Sequence, residues 1–146
     1  MKGITPIISI IILLLITVGL AAAAWTYMGN YFSSITAKTI EIPTQKCING
    51  KDVMVVVHNM GTQNVSTVTT DIVILNGSVS LSTTEIAWCK LDDPCTKGTN
   101  TKNSIEPGGF AKAVIYDCAV GGFTKTCTYD FVVAGRTQSA TVYCSG

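Results

Sequence analysis

Six cysteines, one histidine and one pair of adjacent aspartates are the side chains in this sequence whose chemistry can reach beyond packing. Cys47, Cys89, Cys95, Cys118, Cys127 and Cys144 all lie in the second part of the chain. An even number of cysteines in a short exported module points to disulfides and to an oxidising compartment rather than to free thiols. Many connectivities are possible for six cysteines, and loop geometry favours one of them. Cys89–Cys95 brackets Lys90-Leu91-Asp92-Asp93-Pro94, Cys118–Cys127 brackets a glycine-containing loop able to close a hairpin, and Cys47–Cys144 ties the first strand to the last. A zinc site is disfavoured, because there is no C-x₂-C pair and the one histidine, His58, is remote from the cysteines in sequence.

His58 is accompanied by no nucleophile elbow or other catalytic signature, so a general-base role has nothing to act on. Asp92 and Asp93 fall short of the six to eight oxygens that calcium takes and read as solvated turn residues. Gly108-Gly109 and Gly121-Gly122 lack phosphate-loop spacing and read as turns. The expectation is a protein with no enzymatic activity, no cofactor and no metal. Two further motifs invite modification: Asn64-Val65-Ser66 and Asn76-Gly77-Ser78 both fit the N-glycosylation acceptor pattern and lie at predicted loop or strand ends.

The elements that carry these residues follow from the distribution of charge. Charged residues make up 13% of the 146, against about 25% in typical proteins, and none lies between Lys2 and Lys38. The ten basic and nine acidic residues become nine and nine once Lys2 is set aside, and they are interspersed, so no basic stripe exists for nucleic acid. The stretch Pro6–Met28 exceeds the ~20 apolar residues needed to cross a bilayer. Continued as a helix to about residue 38, it would reach ~50 Å at 1.5 Å per residue, longer than the hydrocarbon core. Trp25, Tyr27, Tyr31 and Phe32 fall where an interfacial aromatic belt would lie. Pro6 suits the first turn, where its missing N–H costs nothing.

Three readings of this segment compete. Lys2, the apolar run and Ala21–Ala24 fit a secretory signal with a small-residue cleavage site, although Trp25–Ile35 stays apolar and aromatic where a mature chain should turn polar. A simple membrane anchor is the second. In the third, Gly19 and Ala23 form a small-xxx-small pair that lets helices approach closely and associate.

The run Lys2-Gly3-Ile4-Thr5-Pro6-Ile7-Ile8, followed by Leu-Leu-Leu-Ile-Thr-Val-Gly-Leu-Ala, resembles the N-terminus of archaeal type IV pilins over about residues 2–30. The resemblance implies a class III leader, residues 1–3, cut by a prepilin peptidase between Gly3 and Ile4, with Lys2, Gly3 and Ile4 as the processing residues. It implies that the helix, residues 4–38, stays on the mature subunit, is stored in the cytoplasmic membrane, and is handed by the pilus assembly machinery to a homopolymer of its own kind. The assembly residues would be Ile4, Pro6, Ile8, Ile12, Leu15, Gly19, Ala23 and Trp25. The glutamate that bacterial pilins carry after the cut is absent, as is the Gly-Ile-Gly-Thr-Leu-like start of archaellins, so a pilus is preferred to an archaellum filament.

After Lys38 the texture changes to β-branched runs punctuated by Gly, Asn, Asp and Pro. Predicted strands are Thr39–Gln45, Val53–Asn59, Val65–Leu75, Thr84–Cys89, Phe110–Asp117, Thr126–Ala134 and Gln138–Cys144. The second and third are expected to pair across the short loop Gly61-Thr62-Gln63-Asn64. The fold class is therefore α+β: a long hydrophobic N-terminal helix followed by an all-β, immunoglobulin-like sandwich over residues 39–146, stapled by disulfides. The functional expectation is a structural subunit of an extracellular filament that mediates attachment or cell–cell contact. Its rival is a membrane-tethered or secreted β-sandwich adhesin that never polymerises.

Overall fold

In a computed structural model, residues 4–68, 71–118 and 124–145 are described. The chain divides into two compact units, one ending at Thr36 and the other beginning at Ala37. The first is a single helix, α1 (Ile4–Thr36). It stops two residues before the predicted boundary at 38, because the Ala37 carbonyl accepts the Gln63 amide and so belongs to the β unit.

Among the described residues the second unit contains ten strands: β1 (Ile40–Ile48), β2 (Asp52–Asn59), β3 (Val65–Ser66), β4 (Ile72–Asn76), β5 (Val79–Ser80), β6 (Ile86–Cys89), β7 (Ser104–Ile105), β8 (Phe110–Ile115), β9 (Thr124–Val133) and β10 (Arg136–Ser145). They form one sheet in the order β1-β2-β8-β6, a second in the order β10-β9-β4-β5, and a small β3-β7 ribbon. Every pairing is antiparallel. With the ribbon set aside, the main strands in chain order make ABED and GFCC′ sheets, the topology of an immunoglobulin-like sandwich.

Alternation along the strands builds the core. Val53, Val55 and Val57 of β2 are fully buried, as are Phe131 and Ala140, with Ile74, Trp88, Ile115, Tyr129 and Val133 nearly so. The turns are set by backbone chemistry at two places. Asn49 and Gly50 take φ of 53° and 71° in the three-residue connection of β1 to β2, and Ala134 and Gly135 take 48° and 77° in the two-residue connection of β9 to β10. Positive φ at both central positions of a two-residue loop matches the right-handed twist of the strands it joins.

Three sequence expectations are corrected. Val53–Asn59 and Val65–Leu75 do not pair: β2 already has β1 and β8 on its two sides, and β4 lies in the opposite sheet beside β9. The segment Val65–Leu75 is also not one strand, because the Ser66 amide turns back to Asp71 Oδ2 (3.0 Å) and breaks the run into β3 and β4. Likewise, the segment between Cys118 and Cys127 does not close a hairpin, since β8 and β9 belong to different sheets.

That placement gives two cysteine pairs a common task. Cys47 of β1 is bonded to Cys144 of β10, with Cα atoms 5.4 Å apart, and Cys118, just past β8, is bonded to Cys127 of β9, at 6.1 Å. Both staple one sheet to the other. Cys89–Cys95 (5.7 Å) instead folds a surface loop back on β6. In that loop Lys112 Nζ donates to the carbonyls of Leu91 (3.1 Å) and Asp93 (2.6 Å). The free edge of β6 is covered by its own chain: Trp88 N–H donates to Asn100 Oδ1, and the Thr101 and Lys102 amides donate to the Trp88 carbonyl. Such cover prevents edge-to-edge pairing with strangers.

The loop each disulfide closes sets what it contributes. Replacing Cys47 and Cys144 by serine opens a 97-residue separation, and replacing Cys89 and Cys95 opens one of 6. Chemical denaturation should therefore show a loss of about 4–5 kcal/mol for the first pair and about 2 kcal/mol for the second. Equal losses would refute this ranking.

Candidate functional site

The feature with the clearest capacity to act on something outside the chain is α1. It has no acidic residue in its first turn and no basic residue in its last, so neither end of its dipole is compensated by a side chain. Apolar residues occur all round it rather than along a stripe, a distribution found in helices enclosed by protein or lipid. The stretch Pro6–Ser33 is 28 residues long and none of its most apolar part is buried. Leu15 is 67% exposed and Trp25 81%. At 1.5 Å per residue the stretch spans about 42 Å, more than a ~30 Å hydrocarbon core needs.

Its polar groups are arranged for such surroundings. Thr17 Oγ1 donates to the Leu14 carbonyl (2.9 Å), Thr26 to Ala23 (2.9 Å) and Thr36 to Phe32 (2.8 Å). A hydroxyl satisfied by its own helix adds no unpaired donor when water is removed. Pro6 stands in the first turn, whose amides have no intrahelical partners in any case.

Helical geometry sorts the sequence-predicted assembly residues. At 100° per residue, Ile8, Ile12, Leu15, Gly19 and Ala23 fall along one face, whereas Pro6 and Trp25 fall off it. Beyond its chain neighbours and the surrounding helix backbone, nothing lies within 4 Å of where a Gly19 side chain would begin, so backbone is presented openly there. Farther along, Trp25, Met28 and Phe32 line a notch of about 230 Å³ at Gly29, and the Tyr31 and Phe32 rings meet edge to face at 6.2 Å. Ile4 is the first helical residue; Lys2 and Gly3 lie outside the described residues.

The β unit places the remaining candidates apart. His58 projects from β2, stacked on Phe110 at 4.2 Å between ring centroids, with Glu41 Oε2 3.9 Å from its Nδ1. This is a half-buried imidazole on the sheet surface, stacked on a ring beside a carboxylate, rather than a base beside a nucleophile. Asp92 and Asp93 sit in the Cys89–Cys95 loop, where the Asp93 amide closes a turn on the Lys90 carbonyl. Among the described residues no three metal-ligating side chains converge. Shifted carboxyls trace to local ties: the Lys97 ammonium holds Asp117 below its ordinary value, and the Ser82 amide and hydroxyl hold Glu85 below its own.

Sequence reasoning missed the buried Asn59. Its side chain donates to the Gln63 and Ile105 carbonyls, both at 2.8 Å, and accepts the Gly61 amide at 2.9 Å. An asparagine ending a β-branched run looks like a surface residue until the loop it organises is seen.

The two glycosylation motifs differ in setting. Asn76, Gly77 and Ser78 are all exposed at the β4–β5 turn. Asn64 is exposed too, but Val65 is fully buried and Ser66 is paired with Ser104 in the small ribbon. Mass spectrometry of native material should find Asn76 occupied more often than Asn64; the reverse order, or two bare asparagines, would defeat this expectation.

No family model and no curated protein matches the chain. Among solved structures, it is similar to the archaellum periplasmic stator protein FlaG from Sulfolobus acidocaldarius, at 19% identity and a TM-score of 0.46, covering 71% of this chain and 98% of that one. It is likewise similar to the archaellum periplasmic stator protein complex of FlaF and FlaG from the same organism, at 20% identity and a TM-score of 0.46, covering 70% of this chain and 86% of that one.

Proposed function

We propose that this chain is a structural subunit of an archaeal type IV pilus-like extracellular filament. The carrying observation is α1 itself: 33 residues without a charged side chain, apolar on every side and long enough to exceed a membrane crossing. Such a surface is stable only in lipid or among similar helices. The leader-like Lys2-Gly3 before Ile4 supports the same reading, because cleavage there removes the only charged side chain ahead of the helix and leaves the apolar segment on the mature chain.

In this mechanism the helix first holds the subunit in the cytoplasmic membrane. After the prepilin peptidase acts, the assembly machinery moves it into a core of identical helices. The face bearing Ile8, Ile12, Leu15, Gly19 and Ala23 packs there, with Gly19 and Ala23 permitting close backbone approach. The disulfide-stapled sandwich, glycosylated at Asn76 or Asn64, is the part that meets surfaces or other cells.

N-terminal sequencing and electron microscopy of sheared native material test this together. A mature chain beginning at Ile4 within filaments is expected. A start near Trp25 would mean a freed binding domain, and an intact Met1 on single molecules a fixed anchor; either overturns the proposal. Filaments that drive swimming would reassign the subunit to an archaellum. Gly19→Leu should leave membrane insertion intact and abolish or strongly reduce filament yield, measured by fractionation; a normal yield would remove Gly19 from the packing face.

A further inference from the structure

The three residues that follow α1 are each tied to the β unit by a different group. The Ala37 carbonyl accepts the Gln63 amide at 2.9 Å, and the Thr39 carbonyl accepts the amides of Met60 (2.8 Å) and Gly61 (3.2 Å). Between them, Lys38 Nζ lies 2.7 Å from Asp71 Oδ1, while the other Asp71 oxygen accepts the Ser66 amide at 3.0 Å. The loop that meets this segment has no slack. A Cβ on Gly61 would stand 2.6 Å from the Ala37 oxygen and 2.9 Å from the Thr39 nitrogen, and Asn59 fixes the loop from beneath with its three side-chain bonds.

Two of the ties are backbone hydrogen bonds, which do not titrate. The third depends on a carboxylate. Its members are only partly accessible, with side-chain exposures of 30% for Lys38 and 25% for Asp71, so solvent screens the pair incompletely. The groups around Asp71 leave Lys38 as its counter-charge: β3 supplies the Ser66 amide, Lys102 beside the small ribbon presents its carbonyl to Thr67, and β9 meets the adjoining Ile72 with the uncharged Val133.

We propose that Lys38 is held by a proton-released clamp, in which ionised Asp71 holds its ammonium and protonated Asp71 frees it, leaving Ala37–Thr39 on its backbone hydrogen bonds alone and so loosening the segment that follows the helix. The direction of the response follows from the carboxyl. The Lys38 ammonium first, and the Ser66 amide second, hold Asp71 below its ordinary value of 3.8. A depressed carboxyl contributes stability above the unfolded value and loses it as pH falls through the folded one. The clamp is therefore closed at neutral pH and opens only as pH falls below 3.8, through the lower folded-state value.

Trypsin reads the state of the clamp directly, because cleavage after Lys38 needs both its side chain and its backbone to be free. With the full chain in detergent micelles at neutral pH, Asp71→Asn, which mimics the protonated acid, should raise the rate of cutting after Lys38 about fivefold, while cuts after Lys46 and Lys112 keep wild-type rates. In the wild-type chain, the Ser66 amide resonance should follow an acid transition below about pH 4 that is missing from Asp71→Asn. Unchanged cutting after Lys38, equal acceleration at all three lysines, or an Asp71-independent Ser66 transition would each overturn the clamp.

Discussion

The constraint that governs this molecule is the removal of a long, uniformly apolar helix from water. Residues Ile4–Thr36 carry no charged side chain, and no side of the helix is polar enough to face solvent. A helix with one greasy stripe can lie on a domain of its own chain, but one greasy all round needs enclosure. Lipid or a bundle of other helices can supply it. The backbonded threonines reduce the penalty of either environment, because their hydroxyls carry their partners with them.

The β unit has its own core and its own reinforcement. Immunoglobulin-like sandwiches often place a disulfide between central strands of the two sheets. Here the central strands β2 and β9 contribute Val53, Val55, Val57, Phe131 and Val133 to one hydrophobic core. One bridge instead joins β1 to β10, at the edge strands, and another joins the end of β8 to β9. Closing the longest loop at the domain's extremities restricts the unfolded chain most, and it secures the strand next to the exit of the helix.

That exit is governed by polar groups rather than by greasy ones. Asn59 is completely buried yet fully employed, which is the condition under which a buried amide orders a loop instead of destabilising it. The loop it shapes receives the backbone of Ala37 and Thr39 and leaves no room at Gly61 for a side chain. Lys38, the first charge after the apolar segment, finds Asp71 across more than thirty residues of sequence.

Much of this was legible from residues alone because the signals were local. The helix announces itself by the absence of charge from position 3 to 37, and the strands by β-branched runs such as Val53–Asn59 and Phe110–Ile115. Periodicity and composition are properties of neighbouring residues, so they survive without knowledge of the fold. Pairing is not local. Only the tertiary structure decided that Val65–Leu75 breaks in two and crosses to the opposite sheet, that Cys118 and Cys127 link sheets rather than a hairpin, and that Asn59, Gly61 and Asp71 converge on the segment after the helix. Those outcomes depend on which strand edges are already occupied and on which polar groups burial leaves in need of partners, quantities that exist only once the chain has closed on itself.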